Sequence, residues 1–208
     1  MRACAFVCLL LLGWVGVALP RRLRGPQADR LAVTLYYEAL CPYCMEFVTA
    51  QLGPSMIRLD RLPFTDLTLV PYGNARIDDS GNVACQHGAP ECELNSWHAC
   101  ILEHHDIAAS LKLIACMMRF KKNRLEKCAD RLKIDVTDVK NCKNSRQVND
   151  ILKKYGEETA KISFVGVPAI ALDNIYDSNL SANLTDNFDS IFCATYKEKF
   201  NKKLANCQ

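Results

Sequence analysis

An α/β domain carrying a disulfide-stapled helical insertion follows from three features of the sequence. An apolar strand runs into a helix and then a second strand early in the chain, strand character returns after residue 164, and a long cysteine-rich stretch of helical spacing lies between. The strand–helix–strand order implies a βαβ unit with parallel strands. At 208 residues the chain holds one domain with an insertion, and its 50% apolar content is ample for a core, which excludes a disordered polymer.

The elements fall in order. Residues 1–18 carry Arg2, an apolar run over residues 5–12 and small residues ending at Gly16-Val17-Ala18, the pattern of a secretory signal peptide; a signal anchor is the alternative reading. No later segment could cross a membrane. Residues 19–30 form a short spacer or propeptide in which Arg21-Arg22-Leu23-Arg24 is either a processing site or a polar linker. The domain proper occupies residues 31–208. Residues 31–40, rich in β-branched and aromatic side chains, predict the first strand, and residues 44–52 the helix after it, interrupted by Gly53-Pro54. Residues 64–72 alternate and predict a second strand closed by Gly73-Asn74. The helical insertion covers about 85–160, with Ile101, Leu102, His105, Ala109 and Leu113 able to share one face. Residues 164–172 return to strand, and residues 184–204 predict a terminal amphipathic helix.

Charge and cysteine content narrow the function. The net charge is +3, with basic residues scattered or on helical faces, so no nucleic-acid stripe is expected. Of twelve cysteines, Cys4 and Cys8 fall in the signal, leaving an even ten. In the oxidising lumen that the signal implies, most of these form structural disulfides. Eight remain after Cys41 and Cys44 are set aside, and eight cysteines allow about 105 pairings, so their connectivity is not readable. Asn179-Leu180-Ser181 and Asn183-Leu184-Thr185 are glycosylation sequons, which agree with the signal.

The first strand empties into Cys41-Pro42-Tyr43-Cys44, the layout of a dithiol redox centre. A cysteine at a helix start faces unpaired N–H groups and the positive end of the helix dipole, both of which favour thiolate. Cys41 is then the attacking group and Cys44, one turn later, the resolving one. Pro42 suits the first helical turn, where its missing N–H costs nothing. Val167-Pro168 is the second chemical clue. A proline inside an apolar strand belongs at an edge or a strand start, and X-Pro is the bond where cis is accessible. In thioredoxin-like domains such a cis-proline abuts the CxxC and leaves a backbone edge for substrate, which makes Pro168 the third candidate site residue.

Residues 85–100 match the pattern CQHGxxECxxNxxxxC in every fixed position: Cys85, Gln86, His87, Gly88, Glu91, Cys92, Asn95 and Cys100. With the upstream CxxC, the downstream Val167-Pro168 and the signal, the chain from about Val33 to Cys207 resembles the gamma-interferon-inducible lysosomal thiol reductases. The resemblance implies a thioredoxin-like fold and a reductase of protein disulfides in an acidic endosomal or lysosomal lumen, aiding protein unfolding and degradation, with a role in immunity. It also implies no bound cofactor and electrons from a small thiol, cysteine or glutathione. Pro42 and Tyr43 depart from the small residues frequent between the family's two cysteines, and such residues influence thiol pKa and disulfide stability. Work at a pH near 5 requires a lowered Cys41 pKa, because a thiol of pKa about 8.5 would be far below one per cent thiolate there. Gln86, His87, Glu91 and Asn95 read as residues that fix the turn and cap the helix, and His98, His104 and His105 as surface or packed helix residues.

Three other readings compete. Cys41 and Cys44 with Cys85, His87 or Cys92 could ligate zinc, although the spacing is no standard ribbon and no metal is expected. A non-catalytic, secreted binding module could present Met117, Met118 and Phe120 as an apolar patch. The same fold could also run as a disulfide oxidase or isomerase at neutral pH. The chain ends in Ala205-Asn206-Cys207-Gln208 rather than a retention signal, so the lysosome or secretion is the expected destination. The expected partners are disulfide-bonded proteins, with neither nucleic acid nor stable membrane insertion.

Overall fold

The computed structural model describes residues 29–207, so the signal peptide and most of the spacer, Arg21 to Arg24 included, lie outside the described residues. Strand β1 (Leu31–Tyr37) is the central strand of a three-stranded sheet. It pairs in parallel with β2 (Thr65–Pro71), from Leu31 opposite Thr65 to Tyr37 opposite Pro71, as the βαβ order predicts. On its other side β5 (Ala169–Leu172) runs antiparallel, with Tyr36 opposite Ala169. Leu31, Val33, Leu35 and Tyr37 have no exposed surface, so β1 forms the floor of the core and emerges only at the segment leading to Cys41.

Helix α1 (Pro42–Glu46) continues past Gly53-Pro54 instead of stopping there. The chain widens into π-helical turns over Phe47–Leu52 and Pro54–Arg58. In that geometry Gly53 donates to Val48 O and Leu59 to Pro54 O, five residues back, which accommodates a proline that cannot donate and whose ring would crowd an α-helical turn. Gly53 is required there, because a Cβ at this position would stand 2.8 Å from Val48 O.

A short hairpin that the sequence pattern does not announce, β3 (Arg76–Ile77) and β4 (Val83–Ala84), follows β2. Five helices come next: α2 (Ala89–His104), α3 (Ile107–Met117), α4 (Leu125–Leu132), α5 (Thr137–Ser145) and α6 (Val148–Thr159). The stripe from Ile101 to Leu113 is therefore not one face. The chain turns extended at His105, and Asp106 starts a new helix by accepting the Ala109 N–H at 2.8 Å. Cys100–Cys142 ties α2 to α5 and Cys116–Cys128 ties α3 to α4.

The late strand is shorter than expected. Residues 164–167 are irregular, Val165 is 99% exposed, and the ladder begins only after Pro168, which has no N–H to contribute. Helix α7 (Ser178–Phe200) starts six residues before the predicted position because Asp177 caps it, accepting the Leu180 N–H at 2.8 Å; it kinks at Asn187. Phe188, Phe192 and Tyr196 recur every fourth residue, stack with centroids 6.0 and 6.2 Å apart, and pack under the π-helical turns, Phe188 meeting Phe47 edge-on. Cys193–Cys207 fastens the tail to this helix.

Candidate active site

Cys41 sits at the N-cap of α1 with extended backbone angles, and Pro42 occupies the first helical position. Its Sγ accepts the Cys44 N–H at 3.5 Å and lies 3.5 Å from Val167 O, to which the thiol donates. The Val167–Pro168 peptide is cis, and the Val167 contact places the turn ahead of β5 beside the nucleophile candidate. Among the described residues Cys41 and Cys44 are the two cysteines outside disulfides. Tyr43, Glu46, Gln51, Pro168, Thr185 and Asp186 line a groove of about 370 Å³ alongside, and Tyr43 is 73% exposed at its edge.

The two thiols are electrostatically unlike. Cys41 is lowered to about 6, first by the hydrogen bond from the Cys44 thiol and then, against the cost of burial, by the N–H groups of Cys44 and Tyr43 and by His87. Cys44 has no exposed surface and is pushed far above the ordinary thiol range, first by burial and then by Cys41. A thiolate on Cys41 and a thiol on Cys44 are thus the paired state near neutral pH.

Behind the dithiol lies a carboxylate layer. Glu38, which the sequence reading passed over, is fully buried and raised to about 7, mainly by burial and then by the neighbouring Glu91 carboxylate. Its Oε1 accepts the Asn74 N–H at 2.6 Å, while Oε2 has no hydrogen-bond partner among the described residues and stands 3.6 Å from His87 Nδ1. Gly73 leaves room for this side chain, since a Cβ there would stand 2.2 Å from Glu38 Cγ. A carboxylate placed three residues before a candidate nucleophile, at the end of a buried strand, was the available signal. Glu91 does more than cap α2. Its carboxylate accepts the N–H groups of His87 at 3.0 Å and Leu40 at 3.3 Å and bonds His87 Nδ1 at 2.7 Å. Asn95 accepts the Ala39 N–H at 2.9 Å, and Gln86 accepts from Asn74 at 2.7 Å. These residues hold the segment from Glu38 to Leu40 that presents Cys41. His98 is buried against Tyr37, and burial lowers it to about 3, so it is neutral and structural.

The rival constellations dissolve. Cys85 and Cys92 are joined to each other, so neither is free to ligate zinc beside Cys41. Glu38, His87 and Glu91 place ligand atoms within 4.8 Å of one another, but the 2.7 Å contact is a closed His–carboxylate hydrogen bond. Met117 and Met118 are core residues, 2% and 1% exposed, and only Phe120 of the expected patch reaches solvent. Asn179 and Asn183 are exposed in the first turns of α7 rather than on a loop.

The family model described as gamma interferon inducible lysosomal thiol reductase (GILT) matches residues 32–132. GILT-like protein 2 of Drosophila melanogaster is 82% identical over 208 residues, all of both chains. The chain belongs to the GILT family. The gamma-interferon-inducible lysosomal thiol reductase of Carassius auratus is 33% identical over 187 residues, covering 82% of this chain and 70% of that one. Among solved structures, the reduced DsbG of Mycobacterium tuberculosis aligns with a TM-score of 0.56 at 15% identity over 88% of each chain, and Chlamydia trachomatis DsbA with 0.54 at 17% identity over 83% and 87%. These structural likenesses establish a thioredoxin-like, DsbA-like fold. Family and fold together make this GILT protein a thiol–disulfide oxidoreductase. No helix among the described residues is long and apolar enough to cross a membrane.

Proposed function

We propose that this GILT protein reduces disulfide bonds of proteins in an acidic endosomal or lysosomal lumen, using a small thiol such as cysteine or glutathione as electron donor. The observation that carries the reading is the asymmetry of the dithiol: Cys41 near 6 and Cys44 far above the usual range. At pH 5 about a tenth of Cys41 is thiolate, against about 0.03% for a free thiol of pKa 8.5. Cys41 attacks one sulfur of the substrate disulfide, forming a mixed disulfide and releasing the other sulfur as a thiolate. Cys44 then attacks Cys41, freeing the second substrate sulfur and closing the Cys41–Cys44 disulfide, which two equivalents of donor thiol reopen. The backbone beside the cis-Pro168 bond gives an extended substrate an edge to pair with.

Glu38, held at about 7 mainly by burial, takes the Cys44 proton during release only where it is ionised, so this route opens as pH rises toward 7 and is nearly closed at pH 5. The Cys41 charge is one of the influences holding its carboxyl protonated, and that charge disappears once Cys41 is tied to substrate. Linkage supports the reductive direction at acid pH. Lowering Cys41 from an ordinary 9.0 to about 6 stabilises the reduced enzyme only where the thiolate forms. That amounts to about 1.4 kcal/mol at pH 7, or ~30 mV toward an oxidant, and less than about 0.1 kcal/mol at pH 5. Acid pH therefore removes the bias that would make this dithiol an oxidase. Delivery through the signal peptide and glycans on Asn179 and Asn183 fit the same compartment.

The test is reduction of a denatured, disulfide-bonded protein by the mature chain with excess cysteine at pH 5 and pH 7, alongside Cys41→Ser. Turnover at pH 5 that falls at least ~10³-fold in the variant is expected. Activity restricted to pH 7 would make the protein a neutral oxidoreductase instead.

A further inference from the structure

The +3 net charge of the whole chain conceals a concentration: residues 119–133 hold seven Lys or Arg against two acids, a local excess of five. The cations are therefore less dispersed than the sequence pattern suggests. In the fold, Arg119 and Arg131 of this segment converge with Lys112 of α3 and Arg58 of the second π-helical turn on one concavity of about 330 Å³. All four are exposed. No carboxylate lines the pocket, and none of the four side chains makes an ion pair or hydrogen bond with a described residue. Residues 1–28 contain no Asp or Glu that could supply a side-chain carboxylate. Eight cations elsewhere, Arg61, Lys140, Lys143, Arg146, Lys154, Lys161, Lys199 and Lys202, have acidic partners, whereas Arg76, Lys153, Lys197 and Lys203 are unpaired among the described residues like the pocket's four. Four unpartnered cations around one hollow repel one another, and that repulsion is relieved when an anion enters.

We propose that this pocket binds a sulfated polysaccharide. The guanidinium fork matches a tetrahedral oxyanion through two parallel hydrogen bonds, and three of the four cations are arginines. The floor between them is apolar, from Pro54, Ile57, Ala115 and Leu132, and suits the non-polar face of a sugar ring. A nucleic acid would need aromatic platforms for its bases; the patch offers only Phe120, which Arg124 already covers at 5.4 Å. A membrane surface would need several exposed apolar anchors, and Phe120 is again the only large exposed one in this segment. The Cys116–Cys128 bond holds the two helices that carry Lys112 and Arg131 in fixed relation, so the charges are pre-positioned. The pocket shares no lining residue with the groove beside Cys41, so binding there leaves the dithiol open and would hold the enzyme where polyanionic matrix is dense.

The experiment is fluorescence polarisation of a labelled heparin oligosaccharide with the mature chain at physiological salt. It is repeated for the quadruple variant Arg58→Gln, Lys112→Gln, Arg119→Gln, Arg131→Gln, and for a charge-matched control, Arg76→Gln, Lys153→Gln, Lys197→Gln, Lys203→Gln. The pocket variant should bind about tenfold or more weakly, the control within about twofold of wild type, and both should reduce a small disulfide at the wild-type rate, which shows that they fold. Equal loss in both variants would reduce the site to diffuse charge and overturn the proposal. So would tighter binding of single-stranded DNA or phosphatidylserine vesicles than of the oligosaccharide, or no binding to wild type.

Discussion

The two halves of this molecule use cysteine in opposite ways. In the sheet half, Cys41 and Cys44 stand a helical turn apart against β1, β5 and the π-helical turns, outside the disulfides, with Cys41 Sγ meeting Val167 O and the Cys44 N–H. In the helical half no sheet ties the elements together, and Cys100–Cys142 and Cys116–Cys128 cross-link α2 to α5 and α3 to α4. The contrast teaches that reactivity here comes from burial and hydrogen bonding at one helix start rather than from cysteine content. The two halves meet where α2, anchored by Cys85–Cys92 and Cys100–Cys142, presses Glu91 and Asn95 against the segment that carries Cys41.

The strongest test of that division removes Cys100–Cys142 by Cys100→Ala with Cys142→Ala. The bond spans 42 residues, and the chain-entropy account assigns about 4 kcal/mol to a loop of that length. Urea unfolding at pH 7 should show a loss of this order, while the alkylation profile of Cys41 stays near 6. If the Cys41 profile moves toward the free-thiol value, the cross-link positions the site as well as the helices.

Legibility in the sequence divides along the same line. The CxxC, Pro168 and the βαβ unit are visible because strand period, a helix-starting cysteine and an X-Pro bond are local signals. The disulfide pairing was not visible, since Cys100 meets Cys142 only after four helices have folded back on one another. The single stripe through His105 failed because Asp106, a capping residue, breaks a periodicity that continues by coincidence on both sides. Glu38 escaped notice because its role depends on Gly73, Asn74 and Glu91, contributed from the far end of β2 and from α2.

A smaller effect separates the proton-handling layer from the scaffold. Glu38 is held at about 7 against an ordinary 4.5, so the folded state keeps a proton that the unfolded chain has released. Stability is therefore full below pH 4.5 and declines as pH rises through 7, by up to about 3 kcal/mol. Glu38→Gln should remove that slope, matching wild type in urea midpoint at pH 4 and exceeding it at pH 8. At pH 7 to 8, where the wild-type carboxyl is largely ionised, the same variant should release substrate more slowly, visible as accumulated mixed disulfide after acid quenching, with no difference at pH 5. A variant that is more stable but resolves at the wild-type rate would leave Glu38 a buried charge with no part in proton transfer.

The smallest expected effect sharpens the comparison at the surface. Tyr43 is largely exposed, yet its backbone N–H helps to stabilise the Cys41 thiolate and its ring borders the groove that reaches Pro168, Thr185 and Asp186. Tyr43→Ala keeps the N–H and deletes only the ring, so the thiol profile should not move. An exposed aromatic at a groove edge contributes contact area to an extended chain and little to a small disulfide. KM for a denatured protein substrate should rise a few-fold, consistent with about 1 kcal/mol of lost contact, with kcat unchanged and no effect on reduction of a small disulfide. A shift in Cys41 reactivity would mean that the ring, and not the backbone, sets the local field. Unchanged KM on both substrates would place the protein's contact with its substrates on the Pro168 side alone.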